Sequence, residues 1–534
     1  MLRHASIFII LVSLAACSGG GGKGGLGQGP GGGNGGSGWQ PGVFQDFLTF
    51  YAQCEAPRAG NNPITGNPWP DVAGSTLDEN NFLRSYTDDT YLWYDEVTDR
   101  DPGLYNDPLV YFDLLKTNGL SPSGRPKDQF HYTWDTDVFN QLSQSGVAAG
   151  YGIQWAWISN TPPRKLLVAY TEPNSPATNL AIPLERGAEI LAIDGEDLRN
   201  GNDVDTLNGG IFPGVGEPHT FTVLDLGSAT PRDVVMTAEN ITSVPVQDVM
   251  EIPTPTGSVG YMAFHDHIST AEQALIDAVN QMNTFGGGAG ISDLVLDLRY
   301  NRGGWLDIAS ELAYMIAGPV PTAGQVFDDL TFNDKHPVTD PLTGQPLAPT
   351  PFHTQAFGAP FNGTPGQPLP TLDLPRVFIL SGSNTASASE AIINGLRGVG
   401  VEVILIGSTT RGKPYGFYPT DNCGITYFTI QFRGENALGF GDYSDGFSPA
   451  NSTGPGEDVP GCSVADDFTK QLGDPTEARL AVALAYRDGV ACPAASGFAP
   501  GVLSKPDAPL SAVEVLVPKS PLLSNRIMNP WRGQ

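Results

Sequence analysis

The sequence predicts an α/β protein with an inserted β-rich module and a small helical region ahead of it. Three observations carry that prediction. From Thr256 to about Arg487, strand-length apolar runs alternate with segments of helical spacing, as in a layered α/β core. Between Gly146 and Val244 the pattern changes to short alternating strands separated by turn residues. From Val43 to Ser145 the aromatic and apolar residues recur at helical spacing instead. A chain of 534 residues holds about two to four such units. Charged residues make up 16% of it and the net charge is −29, which argues against nucleic acid as a partner because phosphate contacts need Lys and Arg.

The N-terminal residues read as an address. Arg3 and His4 precede the apolar run Ile7 to Leu14, and Leu14-Ala15-Ala16-Cys17 places small residues before a cysteine. The run is too short to span a bilayer, so residues 1–16 are expected to be a lipoprotein signal, cleaved before a lipidated Cys17. An ordinary secretory signal is the alternative. Ser18 after the cysteine, by resemblance to bacterial lipoproteins, favours the outer membrane facing the periplasm. Residues 17–42 then form a lipidated, glycine-rich tether that cannot bury a core.

Residues 43–145 form the expected helical region. Phe82, Leu83, Tyr86, Tyr91 and Leu92 place a helix over Asn80 to Tyr94, and Leu109 to Leu115 gives a second. In residues 146–244, Gly150 to Trp155, Lys165 to Tyr170 and Ala188 to Ile193 read as strands, and Ser175 to Ala181 as a short helix. This looks like a PDZ module, which binds a peptide C-terminus as an added strand while turn N–H groups hold its carboxylate. Tyr151-Gly152-Ile153 fits that carboxylate loop. The plainer reading is that Gly152 permits a tight strand entry.

The core, residues 245–490, begins with a strand at Val259 to Phe264 and a helix at Thr270 to Met282. His265 and His267 flank Asp266, but no third ligand accompanies them at useful spacing, so a metal is not expected. Ser292 to Leu298 is an apolar strand ending in Arg299-Tyr-Asn-Arg-Gly-Gly304, and Trp305 to Ile316 has helical spacing. Paired glycines at a strand-to-helix turn let backbone N–H groups approach a ligand, as an oxyanion hole requires. Gly303, with Gly304 as second choice, and Ala388 are its expected donors. A Pro/Gly-rich insertion from Gly318 to Pro375 is expected to be a lid or a channel edge.

A strand at Arg376 to Leu380 leads through Gly382 to Asn384 into a helix from Ala386 to Arg397. Ser387 sits at that helix N-terminus, where free N–H groups favour developing negative charge. Glu390, one turn along, can hold Ser387 or its base in orientation. No histidine follows His353, which leaves Lys413 as the base, after a strand at Val401 to Ile406 and a turn at Gly407 to Gly412. A lysine acts as a base only where burial disfavours its ammonium form.

Asp297-Leu-Arg-Tyr-Asn-Arg-Gly-Gly304, Ser387-Ala-Ser-Glu390 and Gly412-Lys413 resemble, in that order, the motifs of the carboxyl-terminal processing peptidases, or tail-specific proteases. The resemblance covers roughly Thr76 to Arg487. It implies a layered ClpP/crotonase-like core, Ser387 as nucleophile, Lys413 as general base, Gly303 and Ala388 as oxyanion donors and Glu390 as an orienting residue. It further implies protein or peptide substrates with free C-termini and no cofactor. Three departures stand out: Pro414 replaces a usual glycine, the Ser387–Lys413 spacing is one residue longer, and Phe417 stands where many members have a lysine-orienting glutamine. The expected function is a lipid-anchored serine endopeptidase; the alternative is an inactive PDZ lipoprotein acting as a peptide-binding scaffold.

Without Cys17, four cysteines remain, which allow three pairings. Cys423 with Cys462 and Cys54 with Cys492 are expected, the first closing a loop after the base strand and the second tying the ends together. No C-x-x-C spacing suggests zinc. Residues 491–534 form a proline-containing tail, expected to run extended over the surface.

Overall fold

The computed structural model describes residues 38–63 and 65–495 and the backbone of 525–527. The signal segment, Cys17 and the rest of the glycine run lie outside the described residues. The core is one six-stranded sheet. Gly257–Phe264, Asp293–Asp297, Arg376–Ser381, Glu402–Gly407 and Gly461–Ser463 run parallel in that order, with Val246–Thr254 antiparallel on the first edge.

These strands read as continuous apolar runs because helices cover both faces and successive side chains point to opposite sides. Leu294, Leu296, Val377, Ile379, Val403 and Leu405 enter one cluster, packed with the helices Ala271–Met282, Leu306–Ala317 and Ala388–Gly398. The alternate residues Val295, Phe378, Leu380, Ile404 and Ile406 enter a second, with Leu480 and Ala483 of the helix Ala478–Arg487. Each such side chain contributes about 1.5–3 kcal/mol on burial. Truncating the fully buried Leu296 to alanine would cost about 2–5 kcal/mol through the cavity left behind.

Parallel strands bring their C-terminal ends to one edge, and hydrogen bonds join the turns there. Thr385 Oγ1 donates to Leu298 O (2.7 Å), and Arg411 N donates to Thr385 O (2.9 Å). The three turns that hold the sequence motifs therefore meet.

The β-rich module has its own core of Tyr151, Trp157, Leu166, Val168, Ile190 and Phe221, among others. Its sheet is antiparallel: Ile153–Ser159, Lys165–Thr171, Glu189–Ile193, Pro218–Leu224 and Arg232–Thr237, with Glu196–Asp197 pairing beside Glu189–Ile193. Val147–Gly150 pairs with Glu239–Thr242 and so brings the module's entry and exit together. The short helix expected at Ser175 to Ala181 is instead a set of turns. There Thr178 Oγ1 donates to Ser175 O (3.1 Å) and competes with the helical ladder.

The N-terminal region departs from a separate helical unit. Its first helix is Thr76–Thr90, begun by Ser75, whose Oγ accepts from Asp78 N, and it lies earlier than the aromatic spacing suggests. The second is Pro108–Asp113. Phe82, Leu83, Tyr86, Tyr111 and Phe112 pack on Tyr427, and the strand Tyr132–Asp135 pairs antiparallel with Ile425–Phe428. The region thus joins the chain that follows Lys413.

Two expectations are overturned. The disulfides are Cys54–Cys423 and Cys462–Cys492, not Cys423–Cys462 and Cys54–Cys492. Packing of Gln53–Cys54 beside the turn at Cys423, where Ala52 N donates to Asn422 Oδ1 (2.8 Å), decides the first. The second joins the edge strand Gly461–Ser463 to the chain leaving the helix Ala478–Arg487. The insertion at 318–375 is not a free lid, one of its two expected roles. Phe327, Leu330, Phe332, Phe352 and Phe361 are buried in the main core, and Val326–Thr331 pairs with Phe432–Glu435. Large apolar side chains of this number gain too much by burial to stay in a mobile flap. No helix of the described residues is long and apolar enough to cross a membrane.

Candidate active site

Ser387 is the residue just before the helix Ala388–Gly398 and has φ 59° and ψ −113°, a sparsely populated conformation for a side chain with a Cβ. Such a residue costs about 1–3 kcal/mol and persists only where its surroundings over-determine it. Here the peptide oxygen of Asn301 does so, accepting from Ala386 N (3.3 Å) and from Ser389 Oγ (3.2 Å). Ser387 is fully buried, and its Oγ hydrogen-bonds no group among the described residues. An orphaned hydroxyl costs about 1–3 kcal/mol and marks a functional site more readily than a structural one.

Glu390 is the organising residue. Its Oε2 accepts from Ser387 N (2.8 Å) and from Lys413 N (2.9 Å). Its Oε1 accepts from Gly412 N (2.7 Å) and Thr410 Oγ1 (2.6 Å). One carboxylate oxygen therefore joins the backbones of the expected nucleophile and the expected base. Burial pushes the Glu390 carboxyl above the usual carboxylate range, while these four bonds pull the other way.

Lys413 is fully buried. Its Nζ lies 4.3 Å from the centroid of the Phe417 ring and 4.9 Å from that of Phe130. Phe417 is the departure noted in the sequence, and Phe130 escaped notice there. Phe130 belongs to the N-terminal region, hundreds of residues from Lys413 in sequence, and no local pattern points to it. Trp93 of the same region packs edge-on against Tyr415, ring centroids 4.8 Å apart.

In this structure Gly303 N donates to Asn301 Oδ1 (3.0 Å), so that N–H is already bonded. Ala388 stands at the first helical position, where an N–H has no intrahelical partner. Gly304 has φ +138°, and a Cβ there would lie 2.3 Å from His267 O, so only glycine fits. Asn301 is a further residue that the sequence reading passed over. Its Nδ2 donates to Phe264 O (3.0 Å), which leaves Oδ1 to accept from His267 Nδ1 (2.9 Å) as well as from Gly303 N.

Burial lowers both His265 and His267 to about 3, so both are neutral at ordinary pH. His265 stacks on Tyr170 at 3.9 Å between ring centroids. Among the described residues, no group of three or more His, Cys, Asp or Glu is arranged to hold a metal.

The charged residues of the first motif hold its turn in place. Arg299 pairs with Asp297, with Asp466 (2.8 Å) and with both oxygens of Glu477 (2.8 and 3.0 Å). Arg186 of the β-rich module reaches the same Asp466 (2.6 Å) and the Tyr300 hydroxyl (2.6 Å). Burial alone would raise Asp466, but the charges of Arg479, Arg186 and Arg299 hold it well below the usual carboxylate range. The module is thereby tied to the turn that precedes Gly303.

In the turn at Tyr151-Gly152-Ile153, the carbonyl of Tyr151 accepts from Ala177 N (3.0 Å) and that of Gly152 from Glu172 N (2.7 Å). Gly152 has φ +74°, and a Cβ there would lie 2.2 Å from Ser175 Cβ. The glycine is therefore required by close packing within the turn, whatever the turn binds.

Residues 258–417 match the family described as peptidase family S41, a span that includes Gly303, Gly304, Ser387, Glu390 and Lys413. A carboxyl-terminal-processing protease of Synechocystis sp. (strain ATCC 27184 / PCC 6803 / Kazusa) is 25% identical over 173 residues, covering 32% of this chain and 38% of that protein. A solved structure from Bacteroides fragilis NCTC 9343, described as an S41 protease, is 22% identical with a TM-score of 0.55, covering 79% of this chain and 99% of that one, a likeness of fold. The match to peptidase family S41 thus falls on the part of the chain that brings Ser387, Glu390 and Lys413 together.

Proposed function

We propose that this protein is a serine endopeptidase of the cell envelope, anchored by lipid at Cys17, that cuts proteins near their C-termini. The observation that carries the reading is the shared acceptor: Glu390 Oε2 holds Ser387 N and Lys413 N at once. In the mechanism the neutral Lys413 amine takes the Ser387 proton as Oγ attacks a peptide carbonyl carbon. The oxyanion is held by Ala388 N–H and by Gly303 N–H, the latter once released from Asn301 Oδ1. The lysine ammonium then protonates the leaving amine, and water cleaves the acyl-enzyme.

The Phe130 and Phe417 rings lie 4.9 and 4.3 Å from the amine nitrogen, and Phe417 takes the place of the glutamine. The antiparallel sheet, separate core and helix Val204–Ile211 of residues 146–244 support a PDZ reading, with Tyr151, Gly152 and Ile153 as the carboxylate turn. The name of the Synechocystis relative supports cutting at C-terminal tails. One observation favours the scaffold alternative: the bonded Gly303 N–H leaves the oxyanion hole half-made.

The test is incubation with an unstructured protein and mass spectrometry of the fragments. Ser387→Ala and Lys413→Ala should each remove nearly the whole rate, and the double variant should lose little more. Strong residual cleavage by either single variant discards the assignment, and an inert parent protein favours the scaffold.

A further inference from the structure

The strand Gly303–Trp305 stands next to the proposed nucleophile with its two edges in different use. On one edge Trp305 N donates to His267 O (2.9 Å) and His267 N to Gly303 O (3.3 Å). The other edge carries Asn525–Ile527 in parallel register: Gly303 opposite Asn525, Gly304 opposite Arg526, Trp305 opposite Ile527. That segment also lies beside Tyr415–Gly416, which begins two residues after Lys413, and beside the helix Ala388–Gly398, which Ser387 opens. An extended piece of this chain thus lies among the groups that would handle a substrate.

We infer that this second edge is the peptide-binding edge of the Ser387 site, and that residues 525–527 occupy it in cis as a self-ligand that incoming substrate must displace. The chemistry is that of an added strand. Main-chain N–H and C=O groups supply the attraction, so an extended peptide of varied sequence can pair there. Gly303 and Gly304 carry no Cβ, which lets a peptide backbone approach closely. The chain length suffices. Cys492 is fixed to Cys462 on the sheet edge, and the residues from there to Asn525, at about 3.3 Å each, span on the order of 100 Å when extended. A segment of the same chain acts at an effective concentration on the order of 1 mM, so even a weak self-ligand competes. The kinetic consequence rests on the peptidase reading, whereas the occupancy itself does not.

The experiment uses the full chain carrying Asn525→Pro and Ile527→Pro, because proline lacks the N–H and is excluded from a paired strand. In a Ser387→Ala background, which prevents cleavage, a fluorescent synthetic peptide with the sequence of residues 521–530 is titrated and its anisotropy followed. It should bind the proline variant about ten-fold more tightly than the chain with its own tail intact. Equal affinity for both, or binding to neither, overturns the inference. With Ser387 present, KM for an unstructured protein should fall by a similar factor at unchanged kcat, and an unchanged or higher KM also counts against it. If neither chain hydrolyses anything while the peptide distinguishes them, the peptidase reading fails and the self-ligand stands.

Discussion

Three of the four hydrogen bonds to the Glu390 carboxylate come from backbone amides, those of Ser387, Gly412 and Lys413, and the fourth from Thr410 Oγ1. Glu390 therefore acts on position, holding two chain segments in register. Glu390→Gln keeps the size but turns one acceptor oxygen into a donor facing two donors, so half of the bonds are lost. Displacing a catalytic group by about 1 Å can cost 10²-fold. We expect kcat to fall by about that factor with a smaller change in KM, measured by steady-state turnover. An unchanged kcat would show that the four bonds serve folding alone. The motif spacing put Glu390 on the face of Ser387 and left open whether it holds Ser387 or the base; that it holds the backbones of both depends on the strand-end turns meeting.

At the scale of elements, the hairpin Thr420–Asn422 and Ile425–Phe428 connects the N-terminal region to the turn of Lys413. The Cys54–Cys423 bond closes a sequence separation of 369 residues across that contact. Replacing both cysteines with alanine should lower unfolding free energy by about 3–5 kcal/mol in a denaturant titration. Turnover should decline as well, since Phe130 packs from the same region onto Lys413. A variant as stable as the parent would mean that packing alone holds the region.

The join between module and core has its own pH dependence. Burial raises Glu172 and Asp266 each to about 7, and the two carboxyls act on one another across this join, with Arg302 and Tyr170 alongside. Glu172 accepts from Val244 N (2.9 Å), Ser243 Oγ (3.2 Å) and Gln247 Nε2 (3.1 Å), where the module returns to the core. A folded-state pKa above the unfolded value of about 4 means that this stability is complete below pH 4 and lost as pH rises to about 7. The unfolding free energy from denaturant titration should therefore fall as pH rises from about 4 to 7. Glu172→Gln with Asp266→Asn should flatten that dependence, and a parent already flat would dismiss the pair as a titrating contact.

At the scale of the whole molecule, the module of residues 146–244 keeps its own core and is joined to the turn that precedes Gly303. Arg186, Tyr300, Asp466 and Arg299 connect the two through buried ion pairs. If the turn at Tyr151-Gly152-Ile153 captures a free carboxylate, amidating a tailed substrate removes the charge its N–H groups recognise. We expect amidation to slow cleavage of a tailed protein about ten-fold or more while leaving hydrolysis of a short peptide nearly unchanged. Equal rates for the acid and amide forms would remove tail recognition. Gly152→Val is a poor substitute for this test, because its Cβ would collide with Ser175 and damage the turn itself.

The sequence by itself determined the strands at Val259 to Phe264, Ser292 to Leu298, Arg376 to Leu380 and Val401 to Ile406, the helices that follow the first three, and the places of Ser387, Glu390 and Lys413 near strand ends. A parallel sheet covered on both faces shows as unbroken apolar runs, and short motifs at its strand ends are contiguous in the chain. What only the tertiary structure decided are contacts between segments far apart in sequence. The Cys54–Cys423 and Cys462–Cys492 pairing, Phe130 against Lys413, and the burial of the 318–375 aromatics depend on which surfaces meet. The Asn301 bond to Gly303 N is a local case of the same limit, since spacing places the two residues together but does not say where a side-chain oxygen turns.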